Sequence, residues 1–331
     1  MKNLFINIVV LMLLLNLLAS LSYAGNQVWK IGHVRPIDSS IDKDIRGLTK
    51  EISEKTDGQI NFEVYPASKL GDYSLVQERC SFGEVEMYVG PFGTTIDRRL
   101  ALPATPYLVK NWSEAKRVFA HDNLLMKKMA VYLEQQNIKL LGGWPVYFGG
   151  ILTTKKPIEL KNPEIKKQIL LRVPPINSFR WTATALGYTP YPITWVYARS
   201  GLESGMVEGV LGGGAEGYLG LSKWGKYYLA INDHFEHWLV YMNLELWQNL
   251  TAQQKAIIES SVRSMEDRRF QVAEAEEKHN LERLQSLGID VIYFSKEEMD
   301  DISQRVRKDV WPLLESDFGE DLSDLLETSL R

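Results

Sequence analysis

The stretch "QVWKIGHVRPIDSSIDKDIRGLTKEISEKTDGQINFEVYP", residues 27–66, sets the fold class of the chain. Residues 27–34 and 60–66 are rich in β-branched and aromatic side chains and predict strands, whereas residues 39–58 have the apolar spacing of an amphipathic helix. Two strands joined by a helix pair in parallel within one sheet. The stretch therefore predicts an α/β architecture.

The same alternation of helices and strands is expected along the rest of the chain. We expect helices at 73–83, 112–137, 177–187, 194–205 and 250–288, a C-terminal helix after 295, and strands at 85–90, 168–173, 189–193, 206–214 and 289–295. Thr251 with Gln254, and Ser295 with Glu298, have the spacing of capping boxes at the last two helices. The first of these two helices is long enough to bend or to run along two domains.

The first 24 residues, "MKNLFINIVVLMLLLNLLASLSYA", have the organisation of a secretion signal. One lysine precedes a leucine-rich stretch, and Ser22-Tyr23-Ala24 is the small-x-small pattern that a signal peptidase cleaves. We expect cleavage near Ala24 and a mature chain that is soluble outside the cytoplasmic membrane. The alternative is an uncleaved membrane anchor.

The charge balance of the chain is ordinary. It has 38 basic and 42 acidic side chains, a net charge of −4 at pH 7. No dense stripe of lysine and arginine is present, so binding to nucleic acid is not expected. Binding to an anion would depend on a local site.

Arg172 is the residue that most suggests such a site. It ends the apolar run of "QILLRVPP", residues 168–175, which otherwise has the character of a buried strand. A guanidinium does not lose its proton, and leaving it unpaired away from water costs several kcal/mol. We therefore expect an anion to face Arg172: either a bound ligand or a permanent Asp or Glu partner within the protein.

The residue types that serve catalysis or metal binding lack the required context. Cys80 is the only cysteine, so no intrachain disulfide can form, and its helical spacing from Val76 indicates a buried structural thiol. His234 and His237 form an H-x-x-H pair without a third ligand, and the glycines of "GVLGGG" do not make a nucleotide-binding loop. No catalytic residue, metal or cofactor is predicted.

Four stretches together carry a resemblance to a known family. They are "IGHVRPIDSS" (31–40), "VYPASKLGD" (64–72), "LLRVPP" (170–175) and "PITWVYARSGLESGMVEG" (192–209). In this order and spacing the chain resembles, over nearly its whole mature length, the periplasmic solute-binding proteins of tripartite ATP-independent periplasmic (TRAP) transporters, of the C4-dicarboxylate-binding, DctP-like type. The resemblance implies a receptor without enzymatic activity that delivers a small organic acid to a TRAP membrane permease. The alternative is an exported binding component that serves a sensor kinase or another transporter class.

The resemblance also implies a fold of two α/β lobes that close by a hinge, with the long helix bridging them. We expect domain I to hold residues 25–147 and about 237–270, and domain II to hold residues 148–236 and about 271–331. The hinge segments would lie near residues 147 and 236.

The resemblance places the ligand in a cleft between these lobes. An arginine in the position of Arg172 holds the ligand carboxylate in this family, and the helix expected to be capped by Asn177 would add the positive end of its dipole. Six further residues are expected at the cleft, each with ordinary core packing as the alternative: Trp195, Trp144, Phe148, Tyr73, Phe92 and Val34.

The sequence departs from the family pattern at two places, which bears on the ligand. No charged residue lies near Gly149, where relatives carry a second basic or polar residue, and Gly212 stands near the place of an asparagine. We therefore expect a monocarboxylate with a bulkier or aromatic body, for which the glycines make room. Glu216 would receive a ligand ammonium or hydroxyl, neutralise Arg172 in the empty state, or lie in a solvated loop.

Overall fold

The computed structural model describes residues 27–329 and shows two mixed β-sheets flanked by helices. The secretion signal predicted at residues 1–24 lies outside the described residues. The strands are β1 (Gln27–Gly32), β2 (Ile60–Tyr65), β3 (Met87–Gly90), β4 (Ile138–Phe148), β5 (Gly150–Thr153), β6 (Leu170–Val173), β7 (Thr189–Pro192), β8 (Gly209–Gly213), β9 (Tyr227–Leu229), β10 (Phe235–Asn243) and β11 (Asp290–Ile292).

The helices pack on the faces and edges of the two sheets. They are α1 (Ser40–Lys55), α2 (Tyr73–Ser81), α3 (Trp112–Val118), α4 (Leu124–Glu134), α5 (Asn177–Ala185), α6 (Ala198–Glu203), α7 (Ala215–Leu219), α8 (Leu244–Gln248), α9 (Ala252–Ser286), α10 (Lys296–Phe318) and α11 (Glu320–Ser329), with 3-10 turns at Arg98–Ala104 and Trp195–Tyr197. Within residues 27–329, none of the helices has the length and apolar character needed to cross a membrane.

The first sheet has the strand order β2-β1-β3-β10-β4 and is the centre of the first lobe. β1 and β2 pair in parallel, with Gln27 opposite Ile60, which confirms the strand-helix-strand unit predicted from the sequence. Helix α1 packs on β2 and buries an apolar face that includes Ile45 and Leu48, both fully inaccessible to solvent. The amphipathic spacing of residues 39–58 thus supplies one layer of the first core.

The second sheet has the strand order β11-β9-β5-β8-β6-β7 and is the centre of the second lobe. β6 lies between β7 and β8 and is parallel to both. The chain passes between the sheets at Gly149, which separates β4 from β5, and at residues 230–234, which separate β9 from β10. These two crossings touch each other, because the Gly149 amide donates a 2.8 Å hydrogen bond to the His234 carbonyl.

Helix α9 joins the two lobes from the side. It has 35 residues and begins with the predicted capping box of Thr251 and Gln254. At 1.5 Å per residue it is about 52 Å long, and it packs on β4 of the first lobe and on α7 and β11 of the second. The bridging helix expected from the sequence is therefore present.

Two details that the local sequence predicts near the cleft differ from the structure. The strand predicted through Val34 ends at Gly32, which leaves residues 33–35 free to turn toward the second lobe. Asn177 does not cap α5: Ile176 occupies the N-cap position, and the Asn177 amide instead donates to Asp317. A tertiary partner on α10 has displaced the local capping interaction.

The domain division near residues 147 and 236 stays a prediction, although both crossings lie close to those positions. The part of the chain beyond about residue 271, which was assigned to domain II, contacts both lobes. β11 belongs to the second sheet, but α10 packs on both α5 and the 3-10 turn at Arg98–Ala104, and α11 packs on α4.

Candidate functional site

A cavity of about 50 Å³ lies where the two lobes meet. Six of the nine residues predicted at the cleft line it: Val34, Tyr73, Phe92, Arg172, Trp195 and Gly212. The wall is largely aromatic and apolar, and charged groups are concentrated at a few points. Such a combination of an apolar pocket with a small number of charged groups is typical of a small-molecule site.

Arg172 is buried in this wall without a carboxylate partner. Its residue is 1% exposed, its Nε donates to the Ile193 carbonyl at 2.8 Å, and its Nη1 donates to the Leu211 carbonyl at 3.2 Å. Among residues 27–329, no Asp or Glu forms an ion pair with it. Burial lowers the pKa of the Arg172 guanidinium, and Asp72 acts on its charge only from beyond ion-pair distance.

The surroundings of Arg172 therefore orient a cation without neutralising it. The two carbonyl acceptors fix the guanidinium plane, and the Trp195 ring lies 5.5 Å from its central carbon. An uncompensated buried charge costs several kcal/mol, which an anion in the cavity would offset. A carboxylate fits because its two oxygens match the guanidinium fork.

A second guanidinium, which the sequence analysis missed, lines the same cavity. Arg35 belongs to the first lobe, where it follows β1 in the chain, and it is 6% exposed. Its Nε donates to Glu216 Oε2 at 3.1 Å and its Nη2 to the Tyr147 hydroxyl at 3.1 Å. Its central carbon lies 5.2 Å from the Trp195 ring and 5.0 Å from the Trp238 ring.

Glu216 is the partner of Arg35 and, within residues 27–329, forms no ion pair with Arg172, which was one of the three roles considered for it. It lies on α7 of the second lobe, its side chain is 17% exposed, and the ion pair joins the two lobes. Burial alone would lower the pKa of Arg35, but the charge and hydrogen bond of Glu216, together with Tyr147 and Glu236, outweigh that effect and raise the pKa. Arg35 is thus a neutralised cation, in contrast to Arg172.

The glycines of the segment around Gly212 leave room for neighbouring protein groups. Gly212 has a φ of +80°, and a side chain there would overlap the Pro174 ring. In the same way, a side chain at Gly214 would overlap the Tyr147 ring, and a β-carbon at Gly217 would lie 2.8 Å from Arg35 Nη2. At Gly214 and Gly217 the segment therefore lets Tyr147 and Arg35 of the first lobe pack directly on the backbone of the second.

Two of the residues expected at the cleft, Trp144 and Phe148, are not in the wall of this cavity. Trp144 stacks on Trp238 with ring centres 5.4 Å apart, and its Nε1 donates to Asp44 Oδ2. Phe148 packs in an aromatic cluster in which the Phe235 ring is 5.1 Å away. Successive side chains of a strand point to opposite faces, so at the end of β4 it is Tyr147 that reaches the cavity.

The cavity wall also contains His234, whose two ring nitrogens are both occupied. His234 Nδ1 lies 2.7 Å from Asp233 Oδ2, and its Nε2 lies 3.1 Å from Glu236 Oε2. Burial would lower the pKa of His234, but Asp233 and Glu236 outweigh it and raise the pKa to about 10. The imidazolium is already paired on both sides and is a poor partner for a ligand anion.

His237, the second member of the H-x-x-H pair, is in a different environment. Its ring packs against Phe119 and Phe270, and burial lowers its pKa to about 3. No group of three or more His, Cys, Asp or Glu side chains within residues 27–329 is arranged to hold a metal ion. The two histidines therefore shape the wall of the cavity and the core behind it.

Comparison with known proteins agrees with this architecture. The profile of the DctP family, described as bacterial extracellular solute-binding protein, family 7, matches residues 31–316. The sialic acid-binding periplasmic protein SiaP of Vibrio cholerae is 25% identical over 307 residues, which cover 89% of this chain and 92% of SiaP.

Solved structures show the same two-lobed fold. An extracytoplasmic solute receptor of Bordetella pertussis that binds pyroglutamic acid, DctP7, aligns with a TM-score of 0.79 at 19% identity over 92% of this chain and 100% of that one. A TRAP periplasmic solute-binding protein of Haemophilus influenzae with bound L-gulonate aligns with a TM-score of 0.83 at 20% identity over 92% and 98%.

Proposed function

The chain belongs to the DctP family of bacterial extracellular solute-binding proteins, and on this premise we propose that it captures a small organic monocarboxylate and delivers it to the membrane subunits of a TRAP transporter. Membership of this family makes it a binding protein of the extracytoplasmic space, not an enzyme. The proposed ligand lies in the cavity between the lobes, with its carboxylate on Arg172.

The observation that carries the proposal is the buried guanidinium of Arg172, which has no carboxylate partner among residues 27–329. The names of three related proteins refer to carboxylic acids or their anions, namely sialic acid, pyroglutamic acid and L-gulonate. The aromatic wall supports a ligand whose remaining body is largely apolar. The cavity of about 50 Å³ favours a compact acid over the bulky one expected from sequence.

The test is a pair of substitutions at Arg172. Arg172→Ala should weaken binding of the best acid from a thermal-shift screen by more than tenfold, because it removes a desolvated charge-assisted pair worth about 2 to 5 kcal/mol. Arg172→Lys should fail nearly as badly, because a point charge does not reproduce the two-pronged geometry. Titration calorimetry measures both dissociation constants.

The melting temperature of the ligand-free variants provides the control. We expect Arg172→Ala to keep or raise it, since the substitution leaves no carboxylate unpaired. A strongly lowered melting temperature together with unchanged affinity would contradict the proposed role and would indicate that the charge serves the fold.

We further propose that the chain is exported to the periplasm by its N-terminal signal and cleaved near Ala24. The evidence is the small-x-small pattern of Ser22-Tyr23-Ala24 after a leucine-rich stretch. N-terminal sequencing of the protein from a periplasmic fraction should start at Gly25 or within two residues of it. Recovery of the intact chain from the membrane fraction would argue for an anchor instead.

A further inference from the structure

The cavity contains two guanidinium groups in different electrostatic states. Arg172, on the second lobe, has only carbonyl acceptors, whereas Arg35, on the first, is paired with Glu216. Both lie over the same indole ring of Trp195, at 5.5 and 5.2 Å from its centre. The two cations therefore cannot be further apart than the sum of these distances, which is within the reach of one small molecule.

A ligand with two carboxylates would need both cations. Its first carboxylate would take Arg172, but its second would meet a guanidinium whose Nε is already bound to Glu216 at 3.1 Å and whose Nη2 is bound to Tyr147. Glu236 also lines the cavity and acts electrostatically on Arg35. A second anionic group would thus be repelled by two carboxylates before it gained one cation.

We propose that Glu216 is the residue that limits this site to ligands with a single carboxylate, by masking Arg35. The inference rests on the proposed function, since it assumes that the first carboxylate binds Arg172. In this view the Arg35–Glu216 pair selects ligands by the charge of their distal group, which is the group that lies away from Arg172. It also explains how a cavity with two arginines selects a monocarboxylate.

Removing either member of the pair should change the preferred charge in opposite directions. Glu216→Gln keeps an oxygen that can accept from Arg35 but unmasks the cation, so a distal carboxylate becomes favourable. Arg35→Met keeps the length of the side chain but leaves Glu216 unpaired, so a distal ammonium becomes favourable. Glu203→Gln removes an exposed acid from the end of α6 and is the matched control for net charge.

The probes are three four-carbon acids that differ only at the distal end: succinate, butanoate and 4-aminobutanoate. The six-carbon series of adipate, hexanoate and 6-aminohexanoate tests a longer reach. Titration calorimetry at pH 7.5 measures each dissociation constant for the wild-type protein and the three variants. In the wild-type protein and in Glu203→Gln we expect the acid with a neutral distal end to bind most tightly in each series.

Glu216→Gln should improve the affinity for the dicarboxylate relative to the neutral acid by at least tenfold in one of the series. Arg35→Met should improve the affinity for the amino acid relative to the neutral acid by at least tenfold in one of the series. Preference ratios that stay within twofold of the wild-type values in both variants would overturn the inference, as would tighter binding of the dicarboxylate by the wild-type protein. If one variant does not fold by circular dichroism, the ratio in the other decides.

Failure of this inference is distinguishable from failure of the proposed function. If the acids bind and Arg172→Ala abolishes binding, but the ratios do not move, only the role of Glu216 is wrong. If none of the six acids binds the wild-type protein, the inference fails but the proposed function is still judged on the best acid from the screen. If binding of that acid survives Arg172→Ala, the proposed function fails and the inference fails with it.

Discussion

Glu266 is a buried acid outside the cavity, and its ion-pair contacts among residues 27–329 are with two histidines. It belongs to α9, is 3% exposed, and lies 3.8 Å from His237 Nε2 and 3.9 Å from His121 Nδ1. Burial raises its pKa to about 8, although the charge of Arg263 opposes the shift. The low pKa of His237 means that this ring is uncharged at neutral pH and does not neutralise the acid.

This raised pKa predicts that Glu266 destabilises the fold at neutral pH. Between its ordinary value of 4.5 and about 8, the side chain is protonated in the folded chain and ionised in the unfolded chain, so stability falls as the pH rises through that interval. Glu266→Gln removes the titration. We expect it to raise the free energy of unfolding at pH 7.5 by about 1 to 3 kcal/mol and to flatten the dependence of the melting temperature on pH between about 5 and 8.

Glu274→Gln is the control, because Glu274 is an exposed acid on the same helix. It should leave the pH dependence of the melting temperature as in the wild-type protein. An equally steep dependence in Glu266→Gln would show that this carboxyl is ionised in the folded state.

The two arginines of the cavity show which site residues a sequence reveals. Arg172 could be predicted because a charge at the end of an apolar run is conspicuous among its own neighbours. Arg35 is surrounded by polar and turn-forming residues, and its acidic partner is 181 positions away in the chain. Arg35 is buried by residues that are distant in sequence and belong to both lobes, among them Tyr147 and Glu216, so nothing local to it indicates the site.

Among helices and strands, the sequence was informative where a signal is local. Both capping boxes form as predicted, at Thr251 with Gln254 and at Ser295 with Glu298. The sequence did not predict which side chains of β4 face the cavity. The 11 residues of this strand are nearly all buried, so the usual alternation of polar and apolar positions is lost. Without that alternation, Tyr147 could not be separated from its neighbours on the opposite face.

Helix α9 limits how the lobes can move relative to each other. Glu277 on this helix accepts a 2.7 Å hydrogen bond from the Phe148 amide, at the last residue of β4 before the chain crosses to the second lobe. The helix also packs on α7, which carries Glu216. A rigid element attached on both sides of the crossing favours rotation about the crossing segments over sliding of one lobe along the other.

In the described residues 27–329 the two lobes are in direct contact. The Arg35–Glu216 pair and the packing of Tyr147 on Gly214 both join them across the cleft. A solute enters such a cavity only if these contacts open, so we expect a more open form in the absence of ligand. The bound acid then stabilises the closed arrangement described above.

Small-angle scattering tests this motion. The radius of gyration of the mature protein should decrease when the best acid from the thermal-shift screen is added at saturation. An unchanged radius of gyration in wild-type protein that demonstrably binds the acid would mean that the lobes form one rigid body.

Cys80 makes the same motion accessible to fluorescence without altering the native protein. It is the only cysteine in the sequence, it is fully buried, and burial raises the pKa of its thiol, so it resists modification by maleimide dyes. Lys127 on the first lobe and Lys156 on the second are exposed positions for introduced cysteines. A donor and an acceptor attached there would report the separation of the lobes in single molecules, against a background in which no native thiol competes for the dye.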